Sequence, residues 1–329
     1  MPSLTFVCCI EAGPMEKQVL LLVESLRRFG GRFAACDVIA VRPRKGLPLA
    51  TATRRHLRRL GVTYLRCPAG HQASWYANLN KATALAFVEQ DVTTEQICWL
   101  DSDILIAGEP DALDLQPDED FAAMPASTRH DIGVALGETT HVPYWQAICA
   151  HLGRDFGAMP VVPSQPQEAT PMRMYWQGGV YTYRREARLG ATHKEMFLRR
   201  LDGALASQHA GTYFYDQTSL ALAVWQADLQ WRVLPASHNF ALNKLRANAI
   251  DTAALPDARV LHYFGSAWPD FFRMLQHHAA VANPALHALL TEYGPLENAR
   301  PAPVKAGMWA LKQFRQRRQR AFARSCTVY

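Results

Sequence analysis

No hydrophobic run in this 329-residue chain approaches the ~20 apolar residues that a membrane span requires, so no transmembrane helix is expected. Cysteine is sparse and unpatterned. The seven cysteines are odd in number and form no C-x-x-C pair, which excludes a disulfide framework and a zinc knuckle. Several fall inside apolar runs, as small buried hydrophobes do in a reducing compartment. The first ten residues lack a basic segment, and Glu11 follows the apolar stretch too soon for a signal peptide. A cytoplasmic protein is therefore expected. Repeats and low-complexity tracts are also missing, and Val304–Tyr329 has no acidic residue. That tail carries Lys305, Lys312, Arg315, Arg317, Arg318, Arg320 and Arg324, a charge of +7; subtracted from the chain's +6, it leaves the other 303 residues at −1. The basic character belongs to the tail, and the body offers no basic groove for nucleic acid.

What is present is the pattern of an α/β protein. Leu4–Ile10 reads as a buried strand closed by the turn Glu11-Ala12-Gly13-Pro14. A helix follows with Val19, Leu22, Val23 and Leu26 on one stripe and Gly30-Gly31 as its stop. Val38–Val41, Val62–Cys67 and Ile97–Leu100 are further strands, separated by helices at Thr51–Leu60 and Asn78–Gln90. Such alternation specifies a mostly parallel sheet flanked by helices, with ligands at the carboxyl ends of the strands. Beyond Asp103 the alternation breaks down. Phe121–Pro125, Met174–Tyr183, Trp231–Leu234 and Arg259–Tyr263 read as strands, and Thr140–Leu152 and Asp216–Gln226 as helices. Gly157–Met172, with four prolines, reads as an irregular mobile loop over the site. We expect a catalytic domain at 1–270 and a helical appendage at 271–329.

The fourth strand runs directly into Asp101-Ser102-Asp103. Two carboxylates spaced i and i+2 at a strand mouth reach one hard cation, and Mg²⁺ or Mn²⁺ held there neutralises charge on a departing diphosphate. The pair lies between the apolar runs Ile97–Leu100 and Ile104–Ile106, where solvated carboxylates are uncommon.

The run Trp99-Leu100-Asp101-Ser102-Asp103-Ile104 resembles the Asp-x-Asp strand of GT-A glycosyltransferases, especially the glycogenin-like and lipopolysaccharide-galactosyltransferase-like group. Other segments resemble that family in its order: Asn80-Lys81, Trp176-Gln177-Gly178-Gly179-Val180-Tyr181, Asp216-Gln217, Leu234–Asn239 and Leu261-His262-Tyr263-Phe264-Gly265. The resemblance covers about residues 4 to 268. It implies a GT-A, Rossmann-like fold and transfer of a hexose from a nucleotide-diphosphate sugar, UDP-linked by preference, to a saccharide or glycolipid acceptor. It makes His262 the third metal ligand beside Asp101 and Asp103. Ile10, Glu11, Ala12, Lys81, Ser102, Gly178, Gly179 and Gly265 become donor contacts. Asp216 would then touch the donor sugar, with Gln217 near the reacting carbon of a retaining enzyme. The family's first strand ends in an aspartate that reads uracil, where this chain has Glu11-Ala12-Gly13-Pro14.

Read without the family, Lys81 is a surface helix residue, Asp216 a helix cap and His262 a packed strand histidine. Arg42, Arg44, Lys45, Arg54, Arg55, Arg58 and Arg59 read as a solvated basic face rather than an anion site. The alternatives to a working transferase are an inactive nucleotide-sugar or membrane-binding module and a sugar-1-phosphate nucleotidyltransferase. In the tail, Met308, Trp309, Leu311, Phe314 and Phe322 alternate with the basic residues, as in a helix lying on an anionic membrane surface at the inner face of the membrane.

Overall fold

The computed structural model describes residues 3–67, 73–128, 131–165, 170–242, 254–263, 272–273, 276–277, 279–280, 283–296 and 300–329. Its strands, in chain order, are β1 (Leu4–Cys9), β2 (Asp37–Arg42), β3 (Val62–Arg66), β4 (Gln96–Leu100), β5 (Ile104–Ile106), β6 (Phe121–Pro125), β7 (Val161–Val162), β8 (Met172–Arg173), β9 (Trp176–Arg184), β10 (Leu205–Ala206), β11 (Trp231–Val233), β12 (Phe240–Ala241), β13 (Val260–His262) and β14 (Thr327–Val328). The helices are α1 (Pro14–Phe29), α2 (Thr51–Arg59), α3 (Leu79–Val88), α4 (Val142–His151), α5 (Leu189–Gly203), α6 (Tyr215–Gln226), α7 (Pro284–Tyr293) and α8 (Ala302–Ser325).

The central sheet has seven strands in the order β11-β6-β9-β4-β1-β2-β3. Every neighbouring pair is parallel except those made by β9, which runs antiparallel between β4 and β6. Both faces are covered, so the strands read as unbroken apolar runs rather than as alternation. Along β1, Phe6 and Cys8 face α1 and α2, while Val7 and Cys9 face α3 and α6 on the other side. Burial pushes the Cys8 and Cys98 thiols up to about 12, which keeps them inert. Among the described residues all seven cysteines are free, and no helix is long and apolar enough to cross a membrane.

Two turns set the entrance to the site. At the end of β1, Gly13 has φ 113°, a conformation that suits glycine alone, and Pro14 then starts α1. Glu16 reaches back to the Gly13 N–H at 3.0 Å, satisfying a donor that the helix start leaves open. At the other crossing, β5 leaves the Asp-x-Asp turn and pairs antiparallel with β13, with Ile104 opposite His262. A three-stranded sheet, β12-β13-β5, therefore lies beside the end of β4.

Two expectations need correction, and one helix has no counterpart among them. The loop expected at 157–172 has partners, outside residues 166–169, which are not described. Val161–Val162 pairs with Met172–Arg173, and Met159, Val162 and Met172 are buried in the main core. An apolar anchor every few residues overrides the prolines. The helix without a counterpart is α5. Its buried face is Leu189, His193, Met196, Phe197 and Arg200, so two polar residues interrupt the stripe. Second, the arginines at the end of β2 are not part of a solvated face: Arg42 and Arg44 are buried, whereas Arg54, Arg55, Arg58 and Arg59 on α2 are exposed.

The expected boundary at 270/271 lies outside the described residues. Beyond it, α7 buries Leu286, Leu289 and Leu290 in a cluster shared with Leu21, Leu105 and Leu261.

Candidate active site

The parallel strand β4 ends at Leu100, and Asp101 follows at its carboxyl edge. Because β9 pairs antiparallel with β4 through Leu100 and Val180, Gly178 and Gly179 run alongside the acidic turn. The Asp101 N–H donates to the Gly179 carbonyl at 2.8 Å, and the Tyr263 N–H to the Asp103 carbonyl at 3.0 Å. These two backbone bonds clamp the turn between β9 and β13. They also bring His262 to the pair, its Nε2 3.5 Å from Asp103 Oδ1. One potential ligand atom from each of Asp101, Asp103 and His262 lies within 4.8 Å of the others. Asp101 and His262, 161 positions apart in the sequence, thus converge on one point.

The histidine is oriented from behind. Asn239 donates through Nδ2 to Gln177 Oε1 at 2.8 Å, so its Oδ1 is left to accept from His262 Nδ1 at 3.1 Å. That chain places the imidazole proton on Nδ1 and the lone pair on Nε2, the nitrogen nearer Asp103. A neutral imidazole and two carboxylates make a donor set that fits Mg²⁺ or Mn²⁺.

Lys81 is no surface residue. It is buried, and its ammonium lies 3.2 Å from Asp101 and 3.5 Å from Asp216 and donates to the Gly178 carbonyl. Burial lowers its affinity for the proton, but the two carboxylates outweigh burial and hold its pKa above the ordinary lysine value. Burial raises Asp101, opposed by Lys81 and reinforced by Asp103. Trp99 Nε1 donates to Asp101 Oδ1 at 2.7 Å. In the sequence this tryptophan is one member of the apolar run Ile97–Leu100, which gives no sign of that bond.

Asp216 lies in the first turn of α6 but does not cap it; the cap position is Phe214 and has no side-chain bond. Asp216 faces Lys81 instead. Gln217 next to it keeps its Oε1 buried and without a hydrogen-bond partner. Gly178 lies against the same cluster: an added Cβ would sit 2.8 Å from Lys81 Nζ, with Asp216 Oδ2 in ordinary contact at 3.5 Å. At Gly179 a Cβ would collide with the His262 ring. The two glycines are required because the strand backbone passes against the charged cluster.

The remaining sequence candidates separate. Ile10 is buried and reaches the site edge only through its backbone, with its N–H on the Val41 carbonyl at 2.9 Å. Glu11 accepts a bidentate bond from Arg44, at 2.8 Å for Nη2, and a 3.3 Å bond from Asn80, the residue before Lys81. Ala12 lines the neighbouring cleft. Ser102 is held by Gln18 of α1 at 3.3 Å. Gly265 lies outside the described residues.

His193, which sequence reasoning missed, is fully buried on α5 and lies 2.9 Å from the Asp216 carbonyl oxygen through Nε2. Burial, then the Lys81 charge, pushes it down to about 3. The unfolded chain takes up this proton near the ordinary ~6.5. The folded pKa is depressed, so the contribution of His193 is present above ~6.5 and is lost as pH falls toward about 3. The expected slope is about 1.4 kcal/mol per pH unit in that window. Urea unfolding of the parent and His193→Gln between pH 6.5 and 4.5 checks this; equal slopes rule it out.

A family model described as the Rhodobacterales glycosyltransferase domain matches residues 6–228. No curated protein matches the sequence. Among solved structures, the chain is similar to the glycosyltransferase GlyE of Streptococcus pneumoniae TIGR4, at 15% identity and TM-score 0.52, over 88% of this chain and 62% of that one. It is also similar to the bifunctional glycosyltransferase WbbM, at 14% identity and TM-score 0.52, over 89% of this chain and 52% of the other. The chain thus spans less than two thirds of the length of either protein, and the likeness is one of fold.

Proposed function

The chain belongs to the Rhodobacterales glycosyltransferase domain family, and from that premise we propose a retaining, divalent-metal-dependent transferase that moves a hexose from a nucleotide-diphosphate sugar to a hydroxyl acceptor. The observation that carries this reading is the convergence of Asp101, Asp103 and His262 within 4.8 Å at the carboxyl end of β4. Those three residues would hold Mn²⁺ or Mg²⁺, which when bound would neutralise charge on the departing diphosphate. Lys81 adds a fixed cation beside the same charge and is itself fixed by the Gly178 carbonyl. Asp216 takes a donor-sugar hydroxyl. Gln217, whose Oε1 is buried without a hydrogen-bond partner, sits near the reacting carbon in this reading. In the reaction the bond from the anomeric carbon to the diphosphate oxygen breaks, the acceptor oxygen bonds that carbon, and the acceptor proton passes to the leaving diphosphate. No side chain has to serve as base in that scheme.

Glu11 stands where the resembling family reads uracil, but both its oxygens are held by Arg44. We favour a UDP-sugar and a saccharide or glycolipid acceptor. Incubation with UDP-, GDP- and ADP-hexoses, each with Mn²⁺ and with chelator, tests the assignment by release of nucleoside diphosphate. Metal-stimulated release from one donor is expected. Release that is equal in chelator rules out the metal role, and none from any donor rules out catalysis.

Membrane contact is the second part of the proposal. On α8, Trp309 and Phe314 are 65% and 57% exposed beside Arg317 and Arg318, a combination suited to an anionic headgroup layer. The helix is not wholly free for that role, because Phe322 packs on Trp75 and Tyr215 with ring centroids 5.4 and 6.2 Å apart. Flotation with phosphatidylglycerol vesicles at low salt should lift the full chain, and Phe314→Ser should reduce it. A chain that stays at the bottom of the gradient ends this part of the reading.

A further inference from the structure

Between the carboxyl ends of β1 and β2 and the side of α8 lies a cleft of about 520 Å³. Its size is that of a small-ligand site. Its walls carry Arg42, Arg44, Lys305, Lys312 and Arg315 against one carboxylate, Glu11. Glu11 already serves Arg44, and it lies 3.6 Å from Arg315. Arg42 is buried, with its Nη1 on the Leu47 carbonyl at 3.3 Å; among the described residues its Nε has no partner and no carboxylate pairs with it. The side chains of Lys305 and Lys312, both exposed, make no hydrogen bond or ion pair among the described residues. A buried guanidinium without a counter-ion is costly, and the exposed Lys305 and Lys312 add positive potential at the mouth of the same cleft. An anionic ligand resolves this.

The cleft also adjoins the acidic cluster. Asn80 of α3 bonds to Glu11 at its edge, and the next residue, Lys81, bonds to Asp101. Ligands of open parallel sheets lie outside the carboxyl ends of the strands, where this cleft opens. Trp75 and Met308 supply apolar surface on its two sides, which a base needs.

The helix is tied down before its start, near its middle and past its end. Arg300, just before it, donates to the Pro48 carbonyl at 2.9 Å, and Arg315 at its middle to the Lys45 carbonyl at 2.5 Å. Past its end, β14 pairs with β10, and the Gln208 N–H donates to the Tyr329 carbonyl at 2.7 Å.

We propose that α8 is one wall of the donor site, with Lys312 and Arg315 facing the phosphate-bearing part of a bound nucleoside diphosphate across from Arg42. This rests on the nucleotide-sugar reading above. The tail is then a component of donor binding, set from outside the family-matched segment.

The test is calorimetric titration of the full chain with UDP, GDP and ADP, each with Mn²⁺, followed by the tightest of them on two charge-matched variants. Lys312→Met/Arg315→Met is expected to weaken binding roughly tenfold or more, the loss of charge-assisted contacts. Arg320→Met/Arg324→Met removes the same charge from exposed positions away from the cleft and should bind within about twofold of the parent. Unfolding midpoints without ligand separate a folding defect from a lost contact, and Lys312→Met alone, which breaks no internal bond, must still weaken binding. Equal weakening in both double variants, or none in either, overturns the role of α8 and leaves the donor reading standing. Failure of the parent to bind any of the three overturns both.

Discussion

Asp103→Asn is expected to lower the transfer rate on the order of 10³-fold or more while leaving the fold intact. The side chain is isosteric, and the backbone bond that fixes the turn, Tyr263 N–H to Asp103 carbonyl, does not involve the carboxylate. What is lost is one of two charged oxygen ligands at a site that has three candidate groups among the described residues. Several kcal/mol of leaving-group stabilisation depend on the ion, and about 1.4 kcal/mol corresponds to a factor of ten in rate. Asp101 makes a poorer test. It also balances Lys81 and accepts from Trp99, so its replacement mixes catalysis with stability. The measurement is the turnover of the parent and Asp103→Asn at saturating donor and Mn²⁺, with circular dichroism and unfolding midpoints compared. A folded Asp103→Asn enzyme at full activity, or a parent indifferent to chelator, removes the metal assignment.

How far the sequence disclosed this arrangement depends on how local each signal is. β1 to β4 and the helices between them were legible because their apolar periods are strong: Val19, Leu22, Val23 and Leu26 make a stripe that the buried Gln18 and Ser25 do not mask. The Asp-x-Asp turn was legible for the same reason, as a polar break between two apolar runs. By contrast, α5 turns His193 and Arg200 inward, where Arg200 bonds Tyr144 and Thr218, so its period does not register in hydrophobicity. The antiparallel insertion of β9 between β4 and β6 is non-local and leaves no mark in the segment itself. Lys81 shows the same limit at one residue. Nothing in Leu79–Val88 distinguishes a buried lysine from an exposed one, because the groups that hold it come from Asp101, Gly178 and Asp216. The tail was read as a basic amphipathic helix, which α8 is, but its attachment through Arg315 and Phe322 depends on partners hundreds of residues away.

Lys81→Met is expected to produce the largest loss of stability of any single change at the site. The ammonium lies between two carboxylates, Asp101 and Asp216, and its removal leaves both without their cation in a partly buried setting. Breaking a buried pair in this way costs about 3–5 kcal/mol, and the lower end applies here because the Asp101 and Asp216 side chains keep 28% and 17% exposure. Methionine fills the space of the lysine stem, so a packing defect adds little. Arginine should not restore function, since its planar fork is too large for the gap between the Gly178 carbonyl and the two acids. Because a divalent ion at Asp101 supplies positive charge next to the vacated place, Mn²⁺ should stabilise Lys81→Met more than it stabilises the parent. Urea unfolding of both proteins with and without Mn²⁺ measures the difference. A variant as stable as the parent shows that the ammonium is solvated and not held by the acids. If Mn²⁺ raises both proteins equally, the lysine and the ion do not share one cluster of negative charge, and Lys81 has no part in charge compensation at the transfer site.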